Sequence, residues 1–184
     1  ETFIRHLPSE KNYLYNLILD SLHIYHLNLS YESILRKQLH QLGILFQKGL
    51  YGHCDKLLDR VKNTALELEK YSVVYDAVSW ERKLMRMRSY AGIGEQQIRN
   101  VFEEGKGTLE KTINIDEYLN LQEQLVFLFS KTGEVRSKEQ KKKYDSLMKH
   151  PLLRNENEAV TPLSKRLYNN IYTIYNFSAN DTPV

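Results

Sequence analysis

The chain has few of the residues that interrupt helices. Four of its 184 residues are proline and eight are glycine. That excludes a loop-rich or all-β architecture, which needs turn residues at every reversal. Cysteine is nearly absent. The lone Cys54 rules out an internal disulfide and fits a reducing compartment. No apolar run approaches the ~18 residues of a membrane span; Leu17-Ile18-Leu19 is broken at once by Asp20. No basic-then-apolar leader is present, so the expected location is the cytoplasm, away from membranes. The start at Glu1 suggests a fragment of a longer chain. An excess of one charge is missing too. Lys and Arg number 26 against 23 Asp and Glu, a net charge of +3. That is too weak a field to favour nucleic acid.

What remains is helical patterning. Hydrophobic residues make up 41% and charged residues 27%, an ordinary balance for a folded domain. Apolar residues recur at helical spacing along the whole chain. The spacing predicts helices over about 8–27, 31–48, 51–70, 73–90, 95–109, 115–131, 138–150 and 163–176. Tyr13, Leu14, Leu17, Ile18, Leu22 and Tyr25 form the first stripe. Ser30 suits an N-cap, and Gly49 a helix stop. Gly105 and Gly107 weaken the fifth helix. Pro151 ends the seventh, and a polar loop follows from Leu153 to Pro162. No segment alternates long enough to be a strand.

The same event recurs along the chain. A long apolar helix meets a glycine turn, and a more polar helix follows. The turns are Lys48-Gly49-Leu50-Tyr51, Ala91-Gly92-Ile93-Gly94 and Thr132-Gly133-Glu134-Val135. Gly49 to Gly92 is 43 residues and Gly92 to Gly133 is 41. One helix pair cannot bury both apolar faces, so stacked pairs are expected.

Leu42-Gly43, Phe46, Gly49, Tyr51, Cys54, Leu58 and Val61 resemble one tetratricopeptide repeat. In that family a Leu-Gly pair and an aromatic precede a glycine turn, and a small residue follows on the second helix. Cys54 takes the small position. Gly43 to Gly49 is one residue short of the usual interval, and the period exceeds the family's value of about 34. The other pairs keep the turn but not the Leu-Gly pair. The Tyr-, Asn- and Lys-rich texture is similar to repeat proteins of unknown function from Bacteroidetes-type bacteria. The resemblance implies an all-α, right-handed α-α superhelix of about seven to eight antiparallel helices, a single helical-repeat domain over 1–184.

Signs of catalysis are sparse. Gly92-Ile93-Gly94 lacks the third glycine of a dinucleotide fingerprint and follows no strand. Asp20, His23 and His26 are three apart, a spacing a metal could use, but a polar helix face explains them. Cys54 lies on an apolar stripe and reads as a packed core thiol. We therefore expect no enzyme activity, no metal and no cofactor. The Lys138–Lys143 run, four Lys and one Glu, reads as a solvated helix face.

In tetratricopeptide-like arrays the first helix of each pair lines a concave groove. The resemblance places Trp80, Arg82, Lys83, Arg86 and Arg88 there as partner-binding residues, with Trp80 in the core as the competing reading. Thirteen tyrosines suit groove walls or large helix interfaces. Solenoids need polar caps, so Tyr168, Ile171, Tyr172 and Tyr175 on the last helix are expected to form an open end, covered by further chain, a second copy or a partner. The expected function is a non-catalytic scaffold or sensor module holding a peptide or partner helix. The alternatives are a helical-repeat nucleic-acid binder and an all-helical enzyme with a non-local site.

Overall fold

The computed structural model describes residues 2–26, 30–133, 135 and 137–179. It is all-helical, with no strand among the described residues. The helices are α1 (Thr2–His26), α2 (Tyr31–Gln47), α3 (Tyr51–Glu67), α4 (Tyr71–Met87), α5 (Glu95–Thr132), α6 (Lys138–Met148) and α7 (Pro162–Ala179). Of two short 3-10 turns, Pro151–Leu153 leads into the segment expected to be loop and Glu156–Glu158 lies within it. The chain divides into two compact units, Glu1–Ile93 and Gly94–Val184. The expected end of the first helix at Leu27, and Glu134 in the third glycine turn, lie outside the described residues.

In the first unit, α2, α3 and α4 are 17 residues each and begin 20 residues apart, at Tyr31, Tyr51 and Tyr71. All three stop in the same way. The residue after each C-cap has positive φ: Gly49 at 71°, Glu69 at 54° and Ser89 at 48°. The next amide then reaches back to the helix. Leu50 N–H donates to Leu45 O at 3.0 Å, Lys70 to Ala65 at 2.8 Å and Tyr90 to Met85 at 3.0 Å. This is the Schellman geometry, which satisfies carbonyls that a helix end leaves open. Only the first of the three stops uses glycine, so the second and third carry no sequence mark.

At the other end of α2, Ser30 is extended and its hydroxyl accepts from Ser33 N–H at 3.1 Å. Leu35, Leu39, Val61, Ala65, Val73 and Val74 form one buried cluster, and Leu42, Cys54, Leu58, Ala77 and Leu84 form another. On α3 the buried stripe is Cys54, Leu58, Val61 and Ala65, the i, i+4, i+7, i+11 spacing of one helix face. Each fully buried leucine contributes roughly 1.5–3 kcal/mol. Across α3 and α4, Lys62 pairs with Glu81 at 2.8 Å and Arg88 with Asp55. By contrast, every side chain of α1 from Leu7 to His26 is exposed.

The second unit departs from expectation at α5. The helices predicted over 95–109 and 115–131 are one helix of 38 residues, about 57 Å long. Both halves carry buried residues: Val101, Gly105 and Thr108 on the first, and Asn114, Tyr118, Leu121 and Leu125 on the second. A helical glycine costs only about 1 kcal/mol, and no proline intervenes. With α5 unbroken, the 41 residues from Gly92 to Gly133 do not hold the expected helix pair.

Gly133, with φ at 62°, ends α5 and turns the chain toward α6. Ser137 caps α6 by accepting from Gln140 N–H at 3.2 Å. Thr161 caps α7: its buried hydroxyl accepts from Ser164 N–H at 2.9 Å. Tyr118, Leu121, Leu125, Tyr144, Leu153, Leu167 and Ile171 form the core of this unit.

Candidate binding surfaces

The basic face expected on α4 is largely engaged within its own unit. Trp80 is half-buried and packs against both clusters of the first unit. Its ring lies 5.6 Å from that of Phe46, edge to face. A Cβ built on Gly43 would lie 3.5 Å from the Trp80 ring, so the Leu-Gly pair of α2 is where the indole crosses. Lys83 Nζ stands 4.2 Å over the same ring. Arg88 is held by Asp55. Arg82 is half-buried, and Arg86 is exposed on the last turn. Trp80, Arg82, Lys83 and Arg86 thus share α4, with Arg88 at its C-cap, and the Trp80 ring is half-buried against the clusters.

The last-helix face is covered within the second unit. Ile171 is fully buried, and Tyr168, Tyr172 and Tyr175 are half-buried. Tyr172 O–H donates to Leu153 O at 2.6 Å, and Tyr175 O–H to Asp145 Oδ1 at 2.8 Å. Tyr118 O–H, from α5, donates to Leu152 O at 2.7 Å. Asn114 adds a two-way clasp: its Nδ2 donates to Glu158 O at 2.9 Å and its Oδ1 accepts from Val160 N–H at 3.2 Å. Asn114, Tyr118 and Tyr172 tie α5 and α7 to residues 152–160, and Tyr175 ties α7 to α6. This packing covers Ile171 and part of each of the three tyrosines within the second unit.

Three tyrosine hydroxyls of this unit are hard to ionise. Burial, with nearby acids, pushes Tyr118 up to about 12. The hydrogen bond with Tyr172, then burial, pushes Tyr168 up to about 12. The bond to Asp145 raises Tyr175.

A cleft of about 670 Å³ opens between α5 and α6. Leu121, Leu128 and Leu147 give it apolar surface. Glu117, Asn120 and Gln124 line it from α5. Their i, i+3, i+7 spacing makes a polar stripe beside the buried one. Lys143, Ser146 and Lys149 line it from α6 and its C-cap, with His150 alongside. Gln124 Nε2 donates to Asn120 Oδ1 at 3.2 Å. Glu117, Lys143 and Lys149 make no ion pair among the described residues. His150 Nδ1 accepts from Leu152 N–H at 3.4 Å.

Sequence reasoning missed this cleft. The signal was there as Lys143, Ser146 and Lys149 at three-residue spacing, but the run from Lys138 reads as an undivided solvated face.

Asp20, His23 and His26 are exposed on α1. Among the described residues, no group of three His, Cys, Asp or Glu side chains is placed to hold a metal ion. Nor is any helix there long and apolar enough to cross a membrane. No family model, curated protein or solved structure matches the chain.

Proposed function

We propose that the chain is a non-catalytic interaction module of helical-repeat type, and that it holds an extended segment of a partner protein in the α5–α6 cleft. The cleft carries this reading. Its volume lies in the roughly 300–1,000 Å³ range of ligand sites, and it sets a few polar groups around an apolar surface. Three charged groups there make no ion pair among the described residues, and a ligand would supply one.

The tetratricopeptide-like, superhelical part of the reading draws its support from the first unit. Equal helices recur at 20 residues, the Leu-Gly pair sits at a helix crossing, and Cys54 is fully buried where the family has a small residue. A second docking surface on the α4 face is favoured by Arg86, which is exposed and makes no ion pair among the described residues.

Selection from a displayed library of random unstructured peptides tests both surfaces. The baits are the wild type, Lys143→Glu/Lys149→Glu and Arg82→Glu/Arg86→Glu. Enrichment lost only with the first variant supports the cleft. Loss only with the second moves the site to α4. No enrichment with the wild type removes the interaction reading.

A further inference from the structure

Resting on the reading of the cleft as a peptide site, we propose that its ligand is an extended segment of mixed charge: an acidic side chain facing Lys143 and Lys149, a basic one facing Glu117, and aliphatic side chains between.

The backbone is recognised by the Asn120–Gln124 pair. Their mutual hydrogen bond uses Gln124 Nε2 and Asn120 Oδ1. It leaves Asn120 Nδ2 as a donor and Gln124 Oε1 as an acceptor. One peptide unit offers the complement, a carbonyl oxygen and an N–H. Neither side chain has another partner among the described residues. Successive side chains of an extended segment point to opposite sides, so every second one enters the cleft. Leu121, Leu128 and Leu147 give those positions an apolar bed.

The charges decide the rest. A purely acidic ligand satisfies the lysines but is repelled by Glu117, and a purely basic one meets the reverse. Only a segment with both signs pairs all three groups. Nucleic acid fits poorly. Dense phosphate meets Glu117, and no Phe, Tyr or Trp lines the cleft to stack a base.

The test is fluorescence polarisation with the full chain and labelled peptides of about ten residues, long enough to span the cleft in extended form. Four share a Leu/Ser host and carry one Asp and one Lys, Asp alone, Lys alone, or Asn and Gln in their places. An oligothymidylate is the fifth probe. Exposed ion pairs are modest, so each matched charge should tighten binding about threefold and both together about tenfold, fading with added salt. Lys143→Gln/Lys149→Gln should erase the gain from Asp and keep that from Lys. Glu117→Gln should do the opposite. Asn120→Ala/Gln124→Ala should weaken all four peptides alike. These positions are exposed, and unchanged circular dichroism confirms that the variants fold. If the neutral peptide binds as tightly as the mixed one, the charge inference fails and the peptide site stands. If no peptide binds, both fail. Tightest binding of the oligothymidylate would replace them with a nucleic-acid surface.

Discussion

Gly43 shows how one residue joins two helices. A mid-helix glycine usually weakens its helix relative to alanine. Here a Cβ would meet Trp80 Cζ2 at 3.5 Å and Cη2 at 3.6 Å, ordinary contact distances. Gly43→Ala should therefore stabilise the protein by about 0.5–1 kcal/mol, while Gly43→Leu should overpack the ring and destabilise by about 1–3 kcal/mol. Thermal unfolding followed by circular dichroism reads both signs, and a lower Tm for alanine would mean the indole sits closer than described. The Leu42-Gly43 pair was legible in the sequence. That Trp80 would lie across it was not, because the pairing is non-local. The sequence left Trp80 between groove and core, and packing places it in the core.

Among the elements, α2, α3 and α4 fall within a few residues of their expected bounds because each has a clear apolar stripe, and α6 does so because Pro151 follows its end. The α5 helix was not legible. Its two glycines weaken the helix when judged locally, and the burial of Val101 and Thr108 on one half and Tyr118 on the other outweighs that local cost. Gly107 meets no atom within 4 Å on its Cβ side and does not adopt positive φ. Gly107→Ala should thus raise the stability of α5 by about 1 kcal/mol, seen as slower amide exchange on both sides of residue 107. Faster exchange there would mean that the helix is already frayed at this point. The cleft residues were hidden for a related reason. Glu117, Asn120 and Gln124 are ordinary polar residues until α6 is brought alongside.

At the scale of the whole molecule, the two units carry different alkaline liabilities. Tyr118 and Tyr168, both about 12 against an ordinary 10.0, belong to the second unit, as does the raised Tyr175. In the first unit Tyr71 is the one raised tyrosine among the described residues, and burial also raises the Cys54 thiol. A raised tyrosine favours the neutral phenol in the folded state. Its stabilisation is complete below about pH 10 and is lost as pH rises through the folded value. The second unit should therefore lose stability between about pH 10 and 12, and the first unit less. Tyrosinate absorbance against pH, followed with circular dichroism, checks this. All thirteen tyrosines ionising together near their ordinary value, with the fold intact, would contradict it. The division at Ile93 and Gly94 was not legible, since Gly92 and Gly94 resemble every other turn in the pattern.

Trp80 is the sole tryptophan, and it is packed inside the first unit, while the α5–α6 cleft belongs to the second. Light absorbed by the indole alone is therefore a native reporter from one half of the chain on events in the other. Peptide titrated into the cleft while indole emission is recorded measures communication between the halves without any label. A constant emission spectrum means the halves act as separate beads on one string. A shift that saturates with the peptide means that filling one half is felt in the other, and the affinity change on perturbing the first unit gives the strength of that coupling.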